Sequence, residues 1–443
     1  MLDFTVTFEE DGDDLKVHAS AGVLGDTEPP REVVRRTVLE RLRKKSESFD
    51  LADPEDETLV AFGKELFAKT FPEKMKRLYD RTCGSAERRN EALRVVVRFG
   101  PLSALHAIPW ELLHDGSGFI ARQPDSSVVR AFERFDRRRP MQVEGTLRVL
   151  LTSASPADLP KLNLAAEEEA IRLAYSSLGK AVIVTPVRDL TLEGLADAFT
   201  LAESNKLPFH VWHHSGHGGR TQGGSDFWLS LEGAGRRDPV SIPRLRDVVS
   251  VCSELRLVVL NCCHAGSLAG LAPELARLNV PVVIGFPRSI ADRTAIRFAT
   301  VLHRCLTRLP VEHALSLARL AMSPGTREWS LPLLLSRRTD DAGLLARPQV
   351  AAASSPPQRR KPAQGGVQLD GVVIGSVGVI GERRVGMGSI AAPAESSVKI
   401  TGGRIGKVGV IGLEQIASGP SGASEKELRE MLSRLDACLE RGV

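Results

Sequence analysis

The chain has 443 residues, enough for two or three domains and a sizeable buried core. It is 42% hydrophobic and 26% charged, as a folded globular protein is, and a net charge of +4 gives no reason to expect a nucleic-acid partner. No apolar run approaches the ~18 residues of a membrane span, the start lacks a charged-then-apolar leader, and six cysteines make no disulfide framework, so a cytoplasmic protein with reduced thiols and no membrane contact is expected.

Residues 1–145 read as an α+β region. Residues 4–8 and 15–18 suit a hairpin, 30–45 and 59–80 suit helices, and Leu-Arg-Val-Val-Val-Arg-Phe at 93–99 suits a strand. A turn and a short apolar helix with Pro109 in its first turn follow, then strands at 119–121 and 127–132. The basic stretch 130–139 also carries Glu133 and Asp136 and reads as a solvated face or hinge.

From 146 to 340 strands alternate with helices. Strands are expected at 147–152, 181–187, 208–214, 255–260 and 280–286, and helices at 163–178, 191–204, 243–251, 268–278, 292–309 and 311–322. That rhythm predicts an α/β domain: a mostly parallel sheet covered by helices on both faces.

Residues 341–366 have the Pro, Ser, Ala and Gly content of a linker. In 367–443 the octet Ile-Gly-Ser-Val-Gly-Val-Ile-Gly at 374 returns at 405 with one change, an offset of 31 residues. Val/Ile–Gly alternation of this kind fits short strands stacked edge to edge, in a small β-solenoid or paired hairpins. Ser424 and Glu427 then form a capping box before a helix with Leu428, Met431, Leu432, Leu435 and Leu439 on one stripe. Packing on the chain's own repeat and contact with a second copy or partner are both open to that stripe.

Two segments carry the chemistry: His213-His214-Ser215-Gly216-His217-Gly218 and Leu260-Asn261-Cys262-Cys263-His264-Ala265-Gly266. Each ends an apolar run, and His217 and Cys263 stand 46 positions apart, room for a crossover helix. Neighbouring parallel strands would deliver both to the same carboxyl edge, where open α/β sheets build sites. A thiol and an imidazole there make a nucleophile and a general base. Cys263 is expected at the strand end, where a helix opening near Ser267 would favour the thiolate by its dipole. His217 is expected in a turn beyond the strand and as the base, with His213 and His214 structural and one of them, His213, supporting the site from below. Gly218 lets a substrate approach closely, and its N–H with that of Cys263 could hold an oxyanion. The main chemical rival is zinc held by His210, His213, His214, His217, Cys262, Cys263 and His264, but no Cys-x-x-Cys pair occurs and the flanking glycines oppose a helical His-x-x-x-His pair.

Over residues 93–336 the chain resembles a CHAT domain, the caspase-like peptidase module related to separases. Pro109-Trp110-Glu111-Leu112 resembles the family's Pro-Trp-Glu-Leu segment, His213 and His217-Gly218 its two histidines, and Leu260 to Gly266 its Leu-x-x-Cys-x-x-Gly motif. Trp329-Ser330-Leu331-Pro332 resembles its Trp-x-x-Pro. The resemblance implies a caspase-type fold, peptide-bond hydrolysis by the His217–Cys263 dyad, and no cofactor or metal. It also implies a dedicated protein substrate, such as a gasdermin-like pore former in a bacterial defence or death circuit. One departure matters. The family's Leu-Trp-Pro-type segment is replaced by 286–293, and Asp292 falls where separases place an acid that selects a basic P1 residue. Asp292 is thus expected either in an S1 pocket or as the N-cap of its helix, and Asp226 is a second candidate for substrate contact. The carboxy-terminal region is expected to bind an activator or adaptor, or to make a homo-oligomer. The competing function is an inactive CHAT-like scaffold that only binds partners.

Overall fold

The structure, a computed structural model, describes residues 1–22, 31–49, 57–100, 104–132, 140–220, 227–233, 236–267, 270–278, 280–322, 327–337 and 343–345, with the strands 367–370 and 398–401. The sequence expectations at Asp226 and on the helix after Ser424 lie outside these residues.

Met1–Arg347 is one compact unit. Its elements run β1 (Leu2–Asp11), β2 (Asp14–Ser20), β3 (Arg31–Arg35), α1 (Arg36–Glu47), α2 (Glu57–Thr70), α3 (Glu73–Arg89), β4 (Leu93–Phe99) and β5 (Ser126–Phe132). Next come β6 (Leu147–Ser153), α4 (Leu164–Tyr175), β7 (Val182–Val187), α5 (Leu192–Ser204) and β8 (Val211–Ser215). They are followed by β9 (His217–Arg220), β10 (Phe227–Gly233), β11 (Arg236–Ser241), α6 (Ile242–Val249) and β12 (Leu257–Asn261). The unit closes with α7 (Leu271–Arg277), β13 (Val282–Gly285), α8 (Asp292–Leu306), α9 (Val311–Met322) and β14 (Leu333–Ser336).

Eleven strands form one sheet in the order β3-β2-β1-β4-β5-β14-β13-β12-β8-β6-β7. Neighbours are parallel except β1–β2, β2–β3 and β13–β14. The expected α/β class and mostly parallel sheet are therefore present. Every residue of β8 and β12 is buried, as strands covered on both faces must be. Helices α4, α8 and α9 pack together, as do α5, α6 and α7. Side chains of β8 divide accordingly: His213 meets His303 of α8, while Trp212 meets Phe199 of α5. Among the described residues no helix is long and apolar enough to cross a membrane.

Several expectations need correction. Residues 31–35 form the edge strand β3 on β2 rather than the start of a helix. The helix expected over 59–80 is two helices, broken at Phe71 and Pro72, where a ring in place of an N–H ends one run and opens the next. Residues 119–121 make a single bridge to His114 and a 3-10 turn rather than a strand. The antiparallel sheet β11-β10-β9 was not expected. It forms because Phe227, Leu229 and Leu231 alternate into the core along β10.

The amino-terminal strands meet the rest of the sheet through β5 and β14, which share one paired position, Leu335 and Arg130. Buried polar contacts reinforce this seam. Arg130 on β5 lies 3.2 Å (Nε) from Glu111, also pairs with it through Nη2, and donates to the His106 carbonyl. Arg319 of α9 donates to the carbonyls of Ala121 (3.3 Å) and Pro332 (2.6 Å), and Ser316 to that of Ser126 (2.8 Å). In the carboxy-terminal unit, β15 (Val367–Asp370) pairs in parallel with β16 (Val398–Thr401), Val367 opposite Val398. That register equals the 31-residue sequence period, while the repeated octets at 374 and 405 lie outside the described residues.

Glu111→Ala leaves the Arg130 guanidinium buried without its counter-charge. Urea unfolding should show a loss of about 3–5 kcal/mol, with much of it recovered in Glu111→Met/Arg130→Met. Equal midpoints for wild type and Glu111→Ala would contradict a buried pair at the seam.

Candidate active site

Parallel pairing of β8 with β12 sets Val259 beside His213, Leu260 beside His214 and Asn261 beside Ser215. The ladder runs one step further, Gly216 N–H donating to the Asn261 carbonyl at 3.3 Å. Both chains leave the sheet at this point. His217 and Cys263 each lie two residues past their strand ends.

Cys262 is 2% exposed, and burial raises its thiol well above the ordinary range, next to the further charge of Cys263. Cys263 is partly exposed. Of the two adjacent thiols it is the one a substrate can reach. His264 follows with φ +63°, a left-handed conformation costly for a residue with a Cβ. It turns the chain sharply behind the cysteine, and its Nδ1 lies 3.2 Å from the Pro287 carbonyl. The helix expected to open at Ser267 is absent there: residues 264–267 are turn, and α7 begins at Leu271 with Gly270 as N-cap. The proposed helix-dipole support for the thiolate is withdrawn.

Gly218 lies directly against Cys263. A Cβ on it would sit 2.3 Å from the Cys263 carbonyl oxygen and 2.9 Å from the Phe227 ring. Only a hydrogen fits, so glycine here is dictated by the approach of one turn to the other. Gly219 is similarly confined by the Trp228 indole, 2.2 Å from where its Cβ would be.

His217 is the first residue of β9, opposite Ser230, rather than in a free turn. Its Nε2 is 2.8 Å from the Pro160 carbonyl. A carbonyl only accepts, so Nε2 carries the proton and the neutral ring keeps its lone pair on Nδ1. Residues 154–163, which hold that carbonyl, are themselves pinned. Ser155 N–H donates to Glu232 (2.8 Å), Arg237 pairs with Asp158 (3.3 Å), and Asn163 N–H donates to Asp292 (3.0 Å).

That last bond bears on the two readings of Asp292. Ala291 is the N-cap of α8, Asp292 is its first residue, and no side-chain cap bond forms. Its carboxylate instead reaches across to the segment that orients His217. Asp292 is half-buried.

The remaining histidines disperse. The His213 ring contacts Glu167, Ser215 and His303 under the site. His214 lies on the other face, its Nδ1 2.9 Å from Thr152 Oγ1, and burial lowers its pKa to about 3. His210 Nδ1 accepts from Arg148 N–H at the far end of β8, with burial lowering it to about 4. Among the described residues no three His, Cys, Asp or Glu side chains converge to hold a metal ion. Sequence reading missed two groups here, the Pro160 carbonyl and the Glu167 carboxylate. The first has no side-chain signal, and the second was visible only as part of an acidic run, Glu167-Glu168-Glu169.

Comparison with curated proteins finds no match. Among solved structures, distant likenesses include a secreted C11 cysteine protease from Bacteroides thetaiotaomicron in complex with an irreversible peptide inhibitor (16% identity, TM-score 0.30, 40% of this chain and 57% of that one). Others are the Saccharomyces cerevisiae separase–securin complex (11%, 0.40, 75% and 30%) and the Drosophila initiator caspase Dronc (10%, 0.30, 41% and 75%). The chain thus spans little over half of the first and under a third of the second. The CHAT domain family matches residues 72–359, a stretch that holds more than half the sequence and both the His-Gly and the Cys turns. The chain belongs to the CHAT domain family.

Proposed function

We propose that this protein is a cysteine endopeptidase with Cys263 as nucleophile and His217 as general base and acid. The observation that carries the reading is the packing of Gly218 against the Cys263 carbonyl, with the adjacent imidazole fixed at Nε2 by Pro160. Nδ1 takes the thiol proton, and the sulfur attacks the peptide carbonyl carbon. The N–H groups of Gly218 and Cys263 face the developing oxyanion. Nδ1–H then protonates the departing amine, leaving a thioester. Water, losing its proton to His217, releases the acid and restores the thiol. The fixed Nε2–H keeps the ring in the tautomer each step needs.

Asp292 is proposed to line the S1 subsite and favour Arg or Lys at P1. Its bond to Asn163, three residues after the carbonyl that orients His217, supports this. Asp226 is proposed as a further substrate contact. The substrate is proposed to be a dedicated protein, with a gasdermin-like pore former in a bacterial defence setting as the first candidate. The carboxy-terminal repeat is proposed to recruit an activator or bring copies together.

Labelled iodoacetamide should modify Cys263 first, and His217→Ala should slow that reaction about a hundredfold; Gly218→Ala should do likewise by displacing the nucleophile turn. Slow labelling spread over all six thiols, unchanged by His217→Ala, would instead favour a scaffold. In fluorogenic peptide libraries, Arg and Lys at P1 should dominate. Asp292→Asn should cut their kcat/KM about tenfold or more relative to Leu substrates. Equal turnover of Leu and Arg peptides by the wild type would remove Asp292 from S1.

A further inference from the structure

Beneath the two turns, a buried polar chain crosses from one helix to another. Glu167, in the first turn of α4, is 3% exposed. Its Oε1 is 2.5 Å from Asn261 Nδ2 and 2.9 Å from His213 Nε2. The same His213 nitrogen is 3.1 Å from Ser215 Oγ. On the far side of the ring, His213 Nδ1 lies 2.9 Å from His303 Nε2, and His303 Nδ1 lies 2.8 Å from the Tyr175 hydroxyl.

Donor and acceptor roles follow from the carboxylate, which only accepts. Asn261 must present its NH2 group, and His213 its Nε2–H. With its proton on Nε2 alone, His213 accepts at Nδ1 from His303 Nε2–H, and His303 Nδ1 accepts from Tyr175 O–H. Each donor along the chain meets an acceptor and the chain ends on the Glu167 carboxyl group, while Asn261 Oδ1 is buried with no partner. Burial drives His303 well below its ordinary pKa, in keeping with a neutral ring. A buried network of this kind is rigid when complete and costly when one member is missing.

Its position gives it a purpose. Asn261 ends β12 two residues before Cys263, and Ser215 ends β8 two residues before His217. One carboxylate therefore grips the nucleophile's strand directly and the base's strand through His213. Helix α4 also follows the segment whose Pro160 carbonyl orients His217. We infer that Glu167 is a positioning residue: its carboxylate sets the spacing between the Cys263 and His217 turns, acting through Asn261 on one and through His213 and Ser215 on the other. The inference rests on the peptidase reading for its functional consequence. The spacing itself is read by thiol chemistry that needs no substrate.

The test uses the full chain and its Glu167→Ala, Glu167→Gln and Asn261→Ala variants, with the double variant Glu167→Ala/Asn261→Ala. Leu39→Ala, which empties a fully buried site in α1, is the control for general destabilisation. Iodoacetamide labelling of Cys263 is followed by peptide mass spectrometry at a temperature where circular dichroism shows every variant folded. Glu167→Ala should slow Cys263 labelling about tenfold and lower kcat about a hundredfold, with KM little changed, because geometry rather than binding is lost. Glu167→Gln, which keeps an acceptor of the same reach, should recover part of both. The double variant should be no slower than the worse single, since both cut one network. Leu39→Ala should label at the wild-type rate. A folded Glu167→Ala, or Glu167→Gln if the former does not fold, that labels at the wild-type rate overturns the inference. Slowed labelling in a chain with no turnover of any peptide would instead uphold the positioning role and sink the peptidase reading.

Discussion

The parallel register of β8 and β12 is the constraint from which the site follows. With Ser215 opposite Asn261, the two strands end at the same height, and Gly218, three residues beyond one end, meets the carbonyl of Cys263, two residues beyond the other. A slip of one position would reverse every side chain, sending His213 to the face of Trp212 and away from Glu167. The Glu167 carboxylate can bond both strands only in the register seen. Stability and site geometry are thus set by the same pairing.

The amino-terminal region also reaches the Cys263 turn, through the 3-10 turn between β4 and β5. His106 Nε2 lies 3.0 Å from the Gly266 carbonyl, three residues after Cys263. Burial, followed by the charge of Arg130, lowers its pKa to about 3, so the neutral ring donates from Nε2. Arg130 in turn holds the His106 carbonyl and the Glu111 carboxylate. The Pro-Trp-Glu-Leu segment, 150 residues from the cysteine in sequence, therefore buttresses it in space. Trp110 supplies the packing and Glu111 the charge that fixes Arg130.

Much of this was readable from residues. Apolar runs of the β12 kind, bounded by polar or glycine turns, gave the central strands to within a few positions, and their alternation with helices gave the parallel sheet. The His-Gly and Cys turns stood out because each ends such a run. Other features carry no such pattern. Strand β3, Arg-Glu-Val-Val-Arg, is mostly exposed and polar, and it is a strand only because β2 offers a free edge. In sheet β11-β10-β9 only Phe227, Leu229 and Leu231 alternate, a run too short to stand out between glycine-containing loops. The missing helix at Ser267 reflects the left-handed turn at His264, which diverts the chain before α7. Glu167 is one of three consecutive glutamates in the sequence, and its burial follows only from partners 46 and 94 residues away. A carbonyl such as that of Pro160 has no sequence signature at all. The offset between β15 and β16 matches the 31-residue repeat period, while the octets at 374 and 405 themselves lie outside the described residues.

The most direct measurement is a crystal structure of the chain after reaction with an arginine-terminated peptidyl acyloxymethyl ketone. The expected result is a thioether at Sγ of Cys263, with His217 Nδ1 within about 3.5 Å of the bound group and Nε2 still on Pro160. An adduct on another thiol, or a His217 ring facing away from the bound peptide, would contradict a Cys263–His217 dyad.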